Sequence, residues 1–163
     1  MEMNAARFHE FGDSDVMLYE KVPIPTITSD EVLIRVEACG VNRADLLYRI
    51  GRIVGKRGLP HIPGTEVAGK VERFGEDVNG FQQGDRVIIY PTFYCGKCEN
   101  CASGDENLCK NSEIFGFDTD GGYAEYVKAP AEYLLKIPES LTSEDVAAFI
   151  ATASTSWHML KKR

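Results

Sequence analysis

Four of the five cysteines in this 163-residue chain lie within one fifteen-residue stretch, as Cys95, Cys98, Cys101 and Cys109. The short gaps let four thiolates converge on one metal ion at about 2.3 Å, and Gly96 and Gly104 supply the backbone freedom that a tight metal-binding loop needs. Four thiolates complete a tetrahedral coordination sphere and leave no open position for water or substrate. The spacing therefore predicts one structural zinc ion per chain, in a lobe over about residues 91–112 that takes no part in catalysis.

Two disulfide bonds, or four unrelated thiols, are the alternatives to this metal site. Five cysteines is an odd number, and Met1 leads into a charged segment rather than into the apolar region of a secretory signal. In an intracellular chain, such a pattern more often binds metal than forms disulfides. We therefore expect a zinc site in a cytoplasmic protein.

The charge and hydropathy of the chain exclude two classes of partner. The formal net charge is −7, and the only basic cluster is Lys161, Lys162 and Arg163. The sequence therefore predicts no basic patch that would bind the phosphate backbone of a nucleic acid. No segment has the length of a transmembrane helix. The hydrophobic content of 44% is enough for a single core. We expect one globular domain that binds neither nucleic acid nor membrane.

Short apolar runs separated by glycine and proline predict a mainly β fold. Alternation is clearest in Glu31–Ala38, where one face of a strand is apolar and the other polar. Further strands are predicted at Ala5–Phe11, Met17–Val22, Thr65–Phe74, Arg86–Tyr90, Tyr123–Lys128 and Tyr133–Ile137. Many short strands at this spacing indicate a barrel or sandwich.

Two helical stretches interrupt the strands. Asn42 is placed to cap a short helix that stops at Gly51. Thr142 and Asp145 form the pattern of a capping box for a second helical region, which we expect to restart near Thr155 and to continue over about residues 142–163. Since no stop signal precedes the C-terminus, we expect this helix to be cut off within a longer protein.

Several segments, in order, resemble the catalytic, GroES-like domain of the medium-chain dehydrogenase/reductase family, which includes zinc alcohol dehydrogenases and zinc-free quinone oxidoreductases. The matching segments are the cysteine lobe, Glu37–Asp45, Ile62–Gly69, Phe81–Val87 and Gly121–Val127. Each segment alone is modest support, but together they are specific and cover nearly the whole chain. The resemblance implies a mainly β, GroES-like, partly open barrel with short helices and a zinc lobe over residues 1–163.

The resemblance also implies hydride transfer with NADP or NAD, in an enzyme that is a homodimer or homotetramer at full length. Substrate would bind between this barrel and a separate Rossmann domain. No Gly-x-Gly pair occurs in the sequence, so the turn that cradles a pyrophosphate is missing, and we expect the cofactor domain to lie outside this chain.

The positions of the catalytic zinc ligands differ from the alcohol dehydrogenase pattern. Asn42, Thr65 and Ala151 stand where the resemblance places the ligands, and none offers a nitrogen or sulfur donor of the required kind. Ala44 and Leu47 stand where the proton relay would be. We therefore predict a site without catalytic zinc.

Asn42, Asp45 and Thr65 are the candidate catalytic residues. The chain resembles the zinc-free branch around Asn42, where a developing enolate oxygen needs hydrogen-bond donors rather than a metal. The Asn42 amide is one such donor, although asparagine is equally natural as a helix N-cap. Asp45 and Glu66 match acids beside the metal of zinc enzymes, and without metal we expect them to pair with Arg43 or Arg49.

Arg43 and Thr155 are the candidate cofactor-binding residues. By resemblance, Arg43 contacts a cofactor phosphate and Thr155 packs against the nicotinamide; the alternatives are a solvated surface charge and an ordinary helix residue. Tyr48 either lines the pocket or belongs to the core. Cys39 is either a displaced metal ligand or a small buried hydrophobe, and we favour the second.

Three hypotheses follow. The first is a reductase of a carbonyl-conjugated alkene or quinone, with a structural zinc and no catalytic zinc. In this pair of features the chain resembles enoyl-thioester reductases. The second is an alcohol dehydrogenase, acting on an alcohol, with an atypical metal site that uses Cys39 or one of the histidines His9, His61 and His158. The third is a binding module that does not catalyse.

Overall fold

The computed structural model describes residues 1–161, which contain nine β-strands and four α-helices. The strands are β1 Glu2–Arg7, β2 Leu18–Pro23, β3 Glu31–Gly40, β4 Glu66–Phe74, β5 Arg86–Ile89, β6 Thr92–Phe93, β7 Glu113–Ile114, β8 Tyr126–Pro130 and β9 Leu134–Lys136. The helices are α1 Arg43–Arg49, α2 Glu99–Ala102, α3 Ser143–Ala147 and α4 Ile150–Lys161. Single 3₁₀ turns lie at Ser14–Val16, Glu106–Leu108 and Ala131–Tyr133.

A five-stranded antiparallel sheet in the order β8-β3-β4-β5-β9 forms the centre of the fold. The apolar face predicted for β3 is confirmed, because Val32 and Ile34 are fully buried. They pack in one cluster with Val67, Val71, Val87, Ile89 and Phe115. The opposite side of the sheet is partly covered by α3, through Val146 and Ala147.

The hairpin of β1 and β2 extends the wall beyond β8 and curves the structure into a partly open barrel. Isolated bridges join Ala5 to Ala124 and Phe8 to His61. Met3, Ala5, Val22 and Ile62 fill the space behind the hairpin. The prediction of a mainly β, partly open barrel with short helices is therefore confirmed.

Helix α1 agrees with its prediction, but the start predicted for α4 is wrong. Asn42 is the N-cap of α1, and Gly51 beyond its end adopts a positive φ of 75°. Helix α4 begins at Ile150, one turn before the expected restart near Thr155. Its first turn donates a hydrogen bond to Glu66, 85 residues earlier, and such a distant partner leaves no local sequence signal. Lys162 and Arg163 lie outside the described residues. No helix in the described part of the chain combines the length and apolarity that crossing a membrane requires.

Gly69 of β4 provides a test of this packing. A Cβ at this position would lie 2.2 Å from the Arg35 carbonyl oxygen, so the paired strands must separate. We expect Gly69→Ala to lower the free energy of unfolding by about 3 kcal/mol, as overpacking does. Gly84→Ala is the control, because its Cβ meets nothing within 4 Å and only its φ of 89° is strained, at a cost of about 1–2 kcal/mol. Equal losses in urea unfolding would contradict the packing explanation.

Candidate active site and cysteine lobe

The N-terminus of α1 lies where strand β3 ends against β4. Asn42 adopts an extended conformation before the helix, and its backbone N–H donates to Asp45 Oδ2 at 2.8 Å within a capping box. The side-chain amide of Asn42 points to another partner, donating to Glu66 Oε2 at 2.7 Å. Asn42 thus begins the helix and also contacts a buried acid.

Glu66, the first residue of β4, is only 3% exposed and uses both carboxylate oxygens. Oε2 accepts from Asn42, while Oε1 accepts the backbone N–H of Ala151 at 2.8 Å. Gly40 lies against the same carboxylate, since a Cβ there would come within 2.8 Å of Oε2 and 2.6 Å of the Ala147 carbonyl oxygen. Glycine at position 40 therefore allows three segments to meet around Glu66.

Asp45 is a second acid with 3% exposure in this region. Its Oδ2 accepts from the Asn42 N–H at 2.8 Å and from the Tyr123 hydroxyl at 3.1 Å, and its Oδ1 accepts the Gly64 N–H at 3.3 Å. Burial raises the pKa of Asp45, and these hydrogen bonds together lower it by less. Burial and the nearby Asp45 charge also raise the pKa of Tyr123.

The expected pairing of these acids with arginine is wrong. In residues 1–161, neither Asp45 nor Glu66 forms an ion pair with Arg43 or Arg49. Arg43 is exposed, and Arg49 donates instead to the Gly12 carbonyl oxygen at 3.3 Å. The acids lie at the N-termini of α1 and α4, where backbone N–H groups and the helix dipole favour negative charge. Neutral donors therefore replace the expected cations.

The three positions that resemble catalytic zinc ligands gather around Glu66. Asn42 and Ala151 both donate hydrogen bonds to its carboxylate, and Thr65 precedes it in the chain. Thr65 is 7% exposed, and its hydroxyl has no hydrogen-bond partner among the described residues. Thr155 is exposed, on the helix that begins beside Ala151.

Cys39 and His61, two of the alternative metal donors, belong to no group of described residues arranged to hold a metal. Burial, together with the nearby Asp45 and Glu66 carboxylates, raises the pKa of the Cys39 thiol to about 12. His61 is fully buried, and its Nε2 lies 2.8 Å from the Gly116 carbonyl oxygen. Its ring stacks on Tyr48, with 4.4 Å between the ring centroids. Tyr48 is itself fully buried and so belongs to the core.

The four lobe cysteines form a compact cluster whose Sγ atoms all lie within 4.8 Å of one another. The separations are 3.4 Å for Cys98–Cys101, 3.5 Å for Cys95–Cys109, 3.9 Å for Cys98–Cys109 and 4.0 Å for Cys95–Cys101. A zinc ion with Zn–S bonds of about 2.3 Å needs sulfur separations of about 3.8 Å, while a disulfide needs about 2.05 Å. The donor set therefore fits zinc and not two disulfides.

The lobe is attached to the barrel by its own strands and by aromatic residues. β6 and β7 pair at its base, and Phe93 packs on Tyr133 with 4.6 Å between the ring centroids. The Tyr133 hydroxyl donates to the Tyr94 carbonyl oxygen at 2.7 Å and accepts the Tyr94 N–H at 2.8 Å. These contacts hold the base of the lobe independently of the cysteines.

Comparison with known proteins gives consistent results. Residues 28–139 match the family described as the alcohol dehydrogenase GroES-like domain. An alcohol dehydrogenase of Geobacillus stearothermophilus is 41% identical over 161 residues, covering 98% of this chain and 47% of the relative. The chain thus spans about half the length of that relative.

Two solved structures have the same fold. An NAD-dependent alcohol dehydrogenase superposes with a TM-score of 0.93 at 36% identity, covering 98% of this chain and 47% of that one. A crotonyl-CoA carboxylase/reductase superposes with a TM-score of 0.91 at 29% identity, covering 99% of this chain and 40% of that one. Similar barrels therefore occur in a dehydrogenase and in a reductase.

The lobe can be tested with Cys98→Ser. Removing one thiolate should release most of the zinc and loosen residues 91–112, because the order of the lobe depends on the metal while the barrel has its own core. Metal analysis and amide hydrogen exchange measure the two effects. Cys39→Ser is the control and should retain the zinc. Undiminished zinc in Cys98→Ser would contradict the assignment of these ligands.

Asp45→Asn tests the buried acid through pH. Because the pKa of Asp45 is raised on folding, its stabilising contribution is complete below the unfolded value near 4 and is lost as pH rises through the folded value. The stability of the wild type relative to Asp45→Asn should therefore fall with rising pH, by at most about 1.4 kcal/mol per pH unit. Urea unfolding between pH 4 and 8 measures it.

Asp145→Asn is the matched control for this measurement. Asp145 occupies the equivalent helix position in α3, but it is exposed, and hydrogen bonds from Thr142 lower its pKa. Its contribution is fully present above the unfolded value near 4 and is lost only as pH falls below it, so between pH 4 and 8 the difference in stability between the wild type and Asp145→Asn should be nearly constant. Equal pH slopes for the two variants would show that burial does not set the pKa of Asp45.

Proposed function

The chain belongs to the alcohol dehydrogenase GroES-like domain family, and on that premise we propose that it is part of a nicotinamide-dependent reductase of activated C=C bonds or quinones. Zinc has a structural role in the cysteine lobe, and no zinc takes part in the chemistry. When bound, the nicotinamide supplies a hydride to the substrate carbon. The residues around Asn42 bind and orient the substrate oxygen.

One observation carries this proposal: Asn42, Thr65 and Ala151 together lack the donors that a catalytic zinc requires. Asn42 and Ala151 offer N–H groups that are already directed at Glu66. Among the described residues, the four cysteines of the lobe are the only His, Cys, Asp or Glu group arranged to hold a metal. Cys39 is not part of that group.

Asn42 and Thr65 supply the hydrogen bonds that a zinc ion would otherwise replace. An amide has two N–H donors, and only one of those of Asn42 is bound to Glu66. Its second N–H and the unpartnered Thr65 hydroxyl are available to a carbonyl oxygen that gains negative charge as hydride arrives at the β-carbon. Asp45 accepts the backbone N–H groups of Asn42 and of Gly64, the residue before Thr65, and so fixes the backbone at both donors.

Two further side chains complete the proposal. Arg43 and Thr155 are both exposed. Arg43 would hold a cofactor phosphate, and Thr155 on α4 would lie against the nicotinamide. The similarity to a crotonyl-CoA carboxylase/reductase supports a reductive reaction on a conjugated thioester. The second candidate function is alcohol oxidation with an atypical metal site, which the 41% identity to an alcohol dehydrogenase favours.

We expect the complete enzyme to contain one zinc per copy of this chain and to reduce an enone, quinone or enoyl thioester with NADPH or NADH. It should oxidise simple alcohols poorly, because the Lewis acid is missing. Metal analysis and cofactor absorbance at 340 nm measure these properties. Two zinc ions per chain, together with chelator-sensitive alcohol oxidation, would establish the second candidate instead.

Asn42→Ala separates a substrate donor from a helix cap. If the amide donates to the developing oxyanion, kcat should fall about 100-fold, since losing one such donor costs about 3 kcal/mol. Thr142→Ala is the control, because it removes the side-chain cap of α3 and should cost about 1 kcal/mol of stability without affecting kcat. If Asn42→Ala behaves like this control, Asn42 is only a cap.

A further inference from the structure

Helix α4 has few attachments to the barrel. None of its described residues is buried, and only Ile150 packs against the cluster that covers the outer face of the sheet. In residues 1–161, the hydrogen bond from the Ala151 N–H to Glu66 Oε1, at 2.8 Å, is the only one that joins α4 to a strand. The hydroxyls of Thr152 and Ser154 bond within the helix or to Phe149 just before it. Glu66 is therefore the principal polar anchor of α4.

The same carboxylate holds Asn42 through its other oxygen, at 2.7 Å. Glu66 is 3% exposed, and a Cβ added at Gly40 would come within 2.8 Å of Oε2, so the carboxylate is closely surrounded. Glu66 thus joins two groups that approach from separate parts of the chain. If the Asn42 amide or the Ala151 N–H moves, the Glu66 carboxylate moves with it, and the hydrogen bond to the other group changes.

We propose that Glu66 is a positioning residue that fixes α4 relative to Asn42, and through α4 fixes Thr155 at the cofactor. Thr155 lies four residues beyond Ala151, on the same helix face and about 6 Å along the axis. The role of Thr155 rests on the proposed function, but the anchoring of α4 by Glu66 does not. The carboxylate is suited to this task because it has acceptors for both N–H donors and negative charge at a helix N-terminus.

Substitutions separate the two hydrogen bonds from the size of the side chain. Glu66→Ala removes both bonds. Glu66→Gln keeps the size and removes the charge, and both hydrogen bonds persist if the Asn42 amide turns over and accepts from the new N–H, so this variant isolates the charge. Ser143→Ala is the matched control, because it removes the nearby hydrogen bond between α3 and Glu37, at 2.7 Å, and leaves α4 untouched.

Amide hydrogen exchange of the 163-residue chain tests the anchor directly. We expect protection in α4 to fall at least tenfold in Glu66→Ala and less in Glu66→Gln, while Ser143→Ala leaves it unchanged. Unchanged protection of α4 in Glu66→Gln and Glu66→Ala would overturn the proposal. If Glu66→Ala does not fold, Glu66→Met decides, since its unbranched side chain has about the same length and offers neither carboxylate oxygen.

Kinetics of the complete enzyme test the consequence for the cofactor. With an enone as substrate, Glu66→Met, which removes both acceptors, should raise the KM for the nicotinamide cofactor at least fivefold and lower kcat, with the KM for the enone nearly unchanged. Ser143→Ala should match the wild type. Unchanged cofactor KM with a loosened α4 would overturn the link to Thr155. An enzyme that oxidises alcohols instead would refute the proposed function, and the exchange result would still decide the role of Glu66.

Discussion

Two buried carboxylates that have no cationic partner within residues 1–161 control the geometry of the site region. Removing a carboxylate from water costs several kcal/mol unless hydrogen bonds and nearby positive potential offset the loss. Glu66 and Asp45 meet this requirement with N–H groups, a tyrosine hydroxyl and the N-termini of two helices. Each donor must stay in place for its acid to remain buried. The positions of Gly64 and Ala151 are therefore consequences of this requirement.

Those features that depend on local patterns were predictable from the sequence. The alternation in β3, the cap at Asn42 and the cysteine spacing each lie within one short segment, and each indicated the observed structure. The partners of Glu66 were not predictable in this way, since Asn42 is 24 residues away and Ala151 is 85 residues away. The early start of α4 and the neutral partners of the acids follow from these distant contacts. The donor roles of Asn42, Thr65 and Arg43 remain predictions.

The composition of the site and the composition of the lobe set different limits on function. In the lobe, four soft donors surround one point and leave no position for substrate. Around Glu66, both carboxylate oxygens accept from protein N–H groups. The second N–H of Asn42 and the Thr65 hydroxyl remain as hydrogen-bond donors, and under the proposed function they suit an oxygen that becomes negative. The contacts of Tyr133 with Tyr94 connect the base of the lobe to the barrel. The two regions therefore have separate chemistry within one fold.

The outermost cysteine ligands are only 14 positions apart in the chain, whereas the pairing of β3 with β8 joins Glu31 to Pro130. Closing a short loop costs less entropy and is faster than bringing distant strands together. The lobe can therefore capture its metal while the barrel is still open, and its assembly does not depend on the order in which the strands pair.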